Sequence, residues 1–141
     1  MIGPALAATP AAHATPAEAK EMLGKAVAYY KAKGREKALA DFNRRRPPFS
    51  NRDLYVFCIG PDHKLVADGE FHQFIGQSAD IIKDSSGKSV GEAGWEIARK
   101  NGEGEVHYQW LNPESQLIEP KVSYFAKAGP DVCGVGTYDL K

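Results

Sequence analysis

The chain has 141 residues, enough for one domain and a tail, and a chain of this length can bury roughly 70% of its unfolded surface without a metal or disulfide staple. Its 18 Lys and Arg balance 18 Asp and Glu, so the formal net charge is zero. A neutral chain has no general field that steers it onto nucleic acid or an anionic membrane, which argues against a nucleic-acid partner.

Ala and Pro dominate the start. Residues 1–19 hold no Lys or Arg and a single acidic residue, Glu18. Ala5-Leu6-Ala7 and Ala12-His13-Ala14 have the small-x-small form of a signal-peptidase site, yet the positive leading region is missing and Pro4 and Pro10 break the apolar stretch. Two readings stay open for residues 1–16: the remnant of an export signal, or a disordered Ala/Pro tail. No run of eighteen apolar residues occurs, so no segment reads as a membrane span.

A helix is predicted from Pro16, capped by Thr15, with Glu18 favouring its N-terminal end. Met22, Leu23, Ala26, Val27 and Tyr30 recur at three- and four-residue spacing, and Ala38, Leu39 and Phe42 resume the stripe beyond a hinge at Gly34. Arg44-Arg45-Arg46-Pro47-Pro48 ends it, since two prolines forbid continuation. The arginines read as a solvated loop, with docking to a partner as the sharper option.

Leu54–Ile59 is a continuous apolar run, read as a central strand buried on both faces. Gly60-Pro61-Asp62-His63 turns it back into Lys64–Ala67 as a hairpin. In residues 69–89, Phe71, Phe74, Ile75, Ile81 and Ile82 are the expected anchors, followed by a short helix around Val90–Ala98 that Asn101-Gly102 stops. Three strands close the chain, at about 104–111, 119–127 and 131–139. Inner strands apolar on both faces need two covers: the long helix on one face, and residues 69–100 on the other with a pocket beneath.

The chain resembles the single Cache family, a PAS-like extracytoplasmic sensor module. The resemblance rests on Ala26-Val27-Ala28-Tyr29-Tyr30 with Gly34 and Ala38-Leu39; Arg52-Asp53-Leu54-Tyr55-Val56-Phe57; Lys64-Leu65-Val66-Ala67; Gly104–Pro113; Glu119–Tyr124; and Gly134-Val135-Gly136-Thr137-Tyr138, all in family order. It implies an α+β, PAS-like fold over residues 17–141, with a long N-terminal helix packed on a five-stranded antiparallel sheet of order 2-1-5-4-3 and a helical insert. It also implies a cavity for a small metabolite, often a carboxylate, in a periplasmic or secreted setting without catalysis. The family usually passes its signal through a membrane helix; no such helix reads from this sequence, so a separate membrane receptor or kinase partner is the expectation here, with a homodimer through the long helix as a further option. The chain departs from the family where Asp68-Gly69-Glu70-Phe71-His72 stands in place of a His-Pro pair.

Alternate strand residues share a face, so Tyr108 with Trp110, and Lys121 with Ser123, can converge into one pocket. Lys121 would supply positive charge, Tyr108 and Ser123 hydrogen bonds, and Trp110 an apolar wall. Tyr55 and Phe57 share one face of their strand, opposite Leu54, Val56 and Cys58, and either face could form the floor. Phe71 and Phe74 could close the pocket from the insert. The competing reading makes the aromatics plain core and turns Lys121 to solvent.

The resemblance makes the strands of Cys58 and Cys133 neighbours, where a disulfide is available if the two are directly opposed. Buried, inert thiols are the expectation. His13, His63, His72 and His107 share no ligand spacing, and neither a metal nor a cofactor is expected. Gly134-Val135-Gly136 reads as a place where bulky neighbours or backbone approach a strand closely. Two other functional classes remain: a small enzyme using Lys121, Tyr108 and His72 as acid-base groups, and an interaction module with a filled core.

Overall fold

The computed structural model describes residues 13–138. The candidate cleavage site at Ala5–Ala7 lies outside them. Helix α1 runs Pro16–Lys33 and helix α2 Arg35–Phe42. Thr15 and Glu18 form a reciprocal capping box, in which each side chain accepts the other's backbone N–H (3.1 and 2.8 Å). Just before it, Ala14 is fully buried and Thr137 Oγ1 donates to its carbonyl.

The expected hinge at Gly34 is a true break. Gly34 has φ 92°, a conformation that side-chain-bearing residues rarely adopt, and it separates the two helices. Asp131, fully buried, holds this break in place. Tyr30 Oη donates to its carboxylate at 2.5 Å, and Arg35 grips it through Nε (2.8 Å) and Nη2 (3.1 Å).

The strands are β1 (Ser50–Asn51), β2 (Leu54–Ile59), β3 (Leu65–Asp68), β4 (Glu103–Leu111), β5 (Ile118–Ala128) and β6 (Asp131–Thr137). All pairings are antiparallel. The sheet runs β3-β2-β6-β5-β4, which is the expected order 2-1-5-4-3 in the numbering of the five predicted strands. The two-residue β1, which also pairs with β2, is an addition that the sequence pattern did not reveal.

Both faces are covered. Met22, Leu23, Ala26, Tyr30, Ala38, Leu39 and Phe42 pack from α1 and α2 against Leu54, Val56, Cys58, Cys133 and Val135. The opposite face carries Tyr55, Phe57, Ile59, Val106, Tyr108, Phe125 and Val132 under helix α3 (Val90–Asn101) and the insert. That insert holds two single 3-10 turns, at His72–Phe74 and Ala79–Ile81. Apart from Ala79 and Ile82, none of residues 71–83 is buried, so the insert is a thin cover over a solid sheet. No described helix is long and apolar enough to cross a membrane.

Cys58 and Cys133 are directly opposed between β2 and β6 and form a disulfide, rather than the expected two inert thiols. Register decides this, and register is set by the whole sheet rather than by the residues around each cysteine.

Candidate functional site

The two glycines of β6 shape the site. Gly134 and Gly136 lie on the face turned toward the insert, and the missing side chains leave a trough across the sheet. A Cβ on Gly134 would lie 2.8 Å from Phe57 Cζ; one on Gly136 would lie 2.3 Å from Ser123 Oγ and 2.5 Å from Lys121 Cε. The close approach expected at Gly134–Gly136 is therefore made by the aromatic floor and by Lys121 itself. Gly136→Ala is expected to destabilise the fold by about 1–3 kcal/mol through overpacking and to displace the lysine. Denaturant unfolding checks the first effect, and unchanged stability would mean that the trough has slack.

Lys121 lies along this trough with 1% of its surface exposed. Its Nζ donates to Tyr55 Oη at 3.0 Å. It stands 4.6 Å from the ring centre of Tyr55, 5.0 Å from that of Tyr138 and 5.8 Å from that of Tyr108. An ammonium has three donors, and one hydrogen bond plus three aromatic rings compensate its lost hydration only in part. No carboxylate among the described residues lies within ion-pair distance of it. Burial therefore lowers its pKa from 10.5 to about 7, with Asp68 and Asp53 pulling weakly the other way.

Beside the lysine, Tyr108 Oη and Ser123 Oγ share a hydrogen bond of 2.6 Å, and burial raises the Tyr108 pKa. Above them is a cavity of about 10 Å³ lined by Tyr55, Phe57, Asp68, Phe74, Ile82, Tyr108 and Trp110. That is room for about one water-sized sphere. Phe71 stacks on Phe74 (5.6 Å between ring centres) and meets Trp110 edge-on (6.0 Å), which seals the outer side.

The structure thus gathers Tyr55, Phe57, Phe74, Tyr108, Trp110, Lys121 and Ser123 on one face, and Tyr55 and Phe57 supply the floor that the sequence left unassigned. Lys121 and Ser123 sit behind the cavity wall rather than in it. The volume is much smaller than a roomy pocket. His72 does not join the group: it is exposed, with Nε2 2.7 Å from the Asn43 carbonyl oxygen. The triad of Lys121, Tyr108 and His72 is therefore not assembled. His63 pairs with Glu92 and His107 with Glu105, both near the surface. Arg45 donates to the Glu70 carbonyl at 2.7 Å, and Arg44 meets Asp41 at 3.5 Å.

Three residues at or beside the site were not among those expected to form it. Asp68, at the end of β3, is 3% exposed and its pKa is pushed up to about 6, chiefly by burial. Asp53 is fully buried, accepting from Ala14 N at 3.0 Å and facing His13 Nδ1 at 3.1 Å. Tyr138 donates to the Leu111 carbonyl at 2.8 Å. For the aspartates the residue pattern shows an acid abutting an apolar strand, which ordinary turns share.

Two larger surface grooves lie elsewhere. One, of about 660 Å³, runs along α3 by His63, Glu92 and Trp95; the other, of about 550 Å³, runs between α1 and the β4–β5 edge. Neither presents a buried charge.

The family model "Single Cache domain 2" matches residues 10–138. A methyl-accepting chemotaxis protein from Vibrio parahaemolyticus RIMD 2210633 has a similar structure, with TM-score 0.72, 19% identity, and 86% of each chain covered. A periplasmic sensor domain of a chemotaxis protein superposes with TM-score 0.65 at 23% identity, over 84% of this chain and 86% of that one. A Cache chemosensory domain described for its carboxylic acid recognition gives TM-score 0.64 at 19% identity, over 84% of both chains. Comparison with curated proteins finds no match. At these identities the structural likeness establishes the fold, while the family match spans nearly the whole chain: this protein belongs to the single Cache domain family.

Proposed function

We propose that this domain is an extracytoplasmic sensor that binds a small carboxylate between its sheet and its insert, without transforming it. One observation carries the reading: Lys121 is a buried ammonium with no carboxylate partner within reach among the described residues. A ligand carboxylate supplies that partner through a charge-assisted hydrogen bond, which is roughly twice as strong as a neutral one. Entry requires the insert to lift, and its exposed, thinly packed turns are the part of the fold with least to lose. Family membership and the carboxylic acid recognition of one structural neighbour agree with this reading. The Cys58–Cys133 disulfide suits an oxidising, extracytoplasmic compartment. The contacts of Tyr30 and Arg35 with Asp131 offer a route from β6 to the helices, where a receptor or kinase partner, or a second copy, would read the signal.

The test is a melting screen against small carboxylic acids, since only a binder gains stability by mass action. A shift that grows with concentration is expected, with Lys121→Ala weakening the affinity at least tenfold. Equal affinity in the variant would remove Lys121 from the site.

Binding should also depend on pH. Pairing with a carboxylate raises the Lys121 pKa above its free value of about 7, so the ligand binds the protonated form better. Propanoate affinity is expected to be full below pH 7 and to fall by up to about tenfold per unit above it. Calorimetry from pH 6 to 9 checks this, and a flat profile would contradict it.

The small cavity volume is what a filled core would give, and the depressed lysine pKa is what an acid-base enzyme would show. A filled core does not account for a buried cation that could be replaced by methionine. The enzyme reading has no third group in the cavity wall, because His72 is exposed and bonded to the Asn43 carbonyl. Recovery of a bound acid unchanged after long incubation separates sensing from catalysis.

A further inference from the structure

The cavity is lined by a charged group of its own, which a simple carboxylate leaves unused. Asp68 lines it directly and is 3% exposed. Its Oδ1 accepts two backbone N–H groups, from Glu70 (2.9 Å) and Phe71 (2.7 Å). No described residue donates a side-chain hydrogen bond to it or forms an ion pair with it. Asp68 faces the cavity and Lys121 lies buried behind its Tyr55 and Tyr108 wall, so two opposite charges flank one space without forming an ion pair. Each has lost most of its water, and each is only partly compensated.

We propose that the ligand is a small zwitterion, with its carboxylate taken by Lys121 and its ammonium group taken by Asp68. This inference rests on the carboxylate reading above and adds the second half of the ligand. The charge count supports it. A monocarboxylate neutralises Lys121 but brings a second negative charge near Asp68, and a dicarboxylate brings two. A zwitterion gives each buried group its opposite and adds no net charge. The lining agrees: five of its seven residues, Tyr55, Phe57, Phe74, Tyr108 and Trp110, are aromatic, and aromatic faces attract a cation. The depressed acidity of Asp68 reflects burial, and at about 6 it still leaves the group ionised at neutral pH.

The experiment is calorimetry at neutral pH on the wild type, Asp68→Asn and Lys121→Met, using two sets of probes. The zwitterions are glycine, alanine, β-alanine and betaine; the acids without a cation are acetate, propanoate and malonate. In Asp68→Asn the amide oxygen can still accept the two backbone N–H groups, so the turn is kept, and circular dichroism verifies the fold. At least one zwitterion is expected to bind the wild type at least tenfold more tightly than propanoate, with malonate weakest. Asp68→Asn should weaken that zwitterion at least tenfold while tightening propanoate, a crossing that loss of structure cannot produce. A wild type that prefers propanoate or malonate to every zwitterion would overturn the inference, as would an unchanged preference in Asp68→Asn. If the simple acids still bind, and bind through Lys121, only the zwitterion falls. If no probe binds, the carboxylate reading falls with it.

Discussion

Lys121→Met is expected to raise stability and abolish carboxylate binding in the same molecule. Methionine keeps the length and most of the volume of lysine, so the trough over Gly136 stays filled. What disappears is a buried charge whose lost hydration is met by one hydrogen bond and three rings. Replacing a buried ion pair by apolar side chains of similar size is often neutral or stabilising by about 1–4 kcal/mol, and a lone buried ammonium has less attraction to lose. Tyr55 Oη loses its donor, which offsets roughly 1 kcal/mol of that gain. A net rise in melting temperature of roughly 3–10 °C follows for a domain of this size. The pH dependence gives an internal control. Because the folded pKa of Lys121 is about 7 against 10.5 when unperturbed, the folded wild type binds fewer protons between those values. Its stability should therefore rise with pH across that window, and this component should vanish in the variant. Asp68 acts at the other end: with a folded pKa of about 6 against 3.8, it lowers stability as pH rises between those values. A Lys121→Met protein less stable than wild type by more than 1 kcal/mol at neutral pH would mean that the ammonium is well compensated, and that the case for an unpaired charge is wrong.

Removal of the disulfide has the second large effect. Cys58 and Cys133 close a loop with a sequence separation of 75, and on the chain-entropy model the bond stabilises the fold by about 4 kcal/mol. Both residues are buried against α1 and α2, so reductant should reach them slowly in the folded state. The double variant Cys58→Ala/Cys133→Ala is expected to unfold at markedly lower denaturant, with the same secondary structure in buffer. Thiol titration of the denatured, unreduced wild type offers the direct check: no free thiols are expected, and two would exclude the bond.

Much of the fold was legible because it depends on local rules. The capping box at Thr15, the stripe from Met22 to Tyr30 and the break at Gly34 are short-range signals, and the helices follow them. Leu54–Ile59, apolar without interruption, announced a strand buried on both faces. The site was legible in part for the same reason. Lysine within an apolar strand is costly unless something uses it, and Lys121 is indeed buried. Two features lay beyond local reading. The Cys58–Cys133 bond depends on strand register across β2 and β6. The small cavity volume depends on how far Phe71, Phe74 and Trp110 settle onto Tyr55 and Tyr108, a matter of packing among distant segments. Asp68 and Asp53 were not assigned to the site because an aspartate beside a strand is ordinary until the tertiary fold buries it.

The most direct measurement follows Lys121 itself. Lysine labelled at Cε with carbon-13 reports the protonation of each ammonium by NMR, and Lys121→Met identifies the resonance. Titration without ligand, and again with whichever acid or amino acid gives the largest melting shift, should show a midpoint near 7 that moves upward on binding. A midpoint near the ordinary lysine value without ligand, or one that does not move while the ligand binds, would contradict a buried ammonium awaiting a carboxylate.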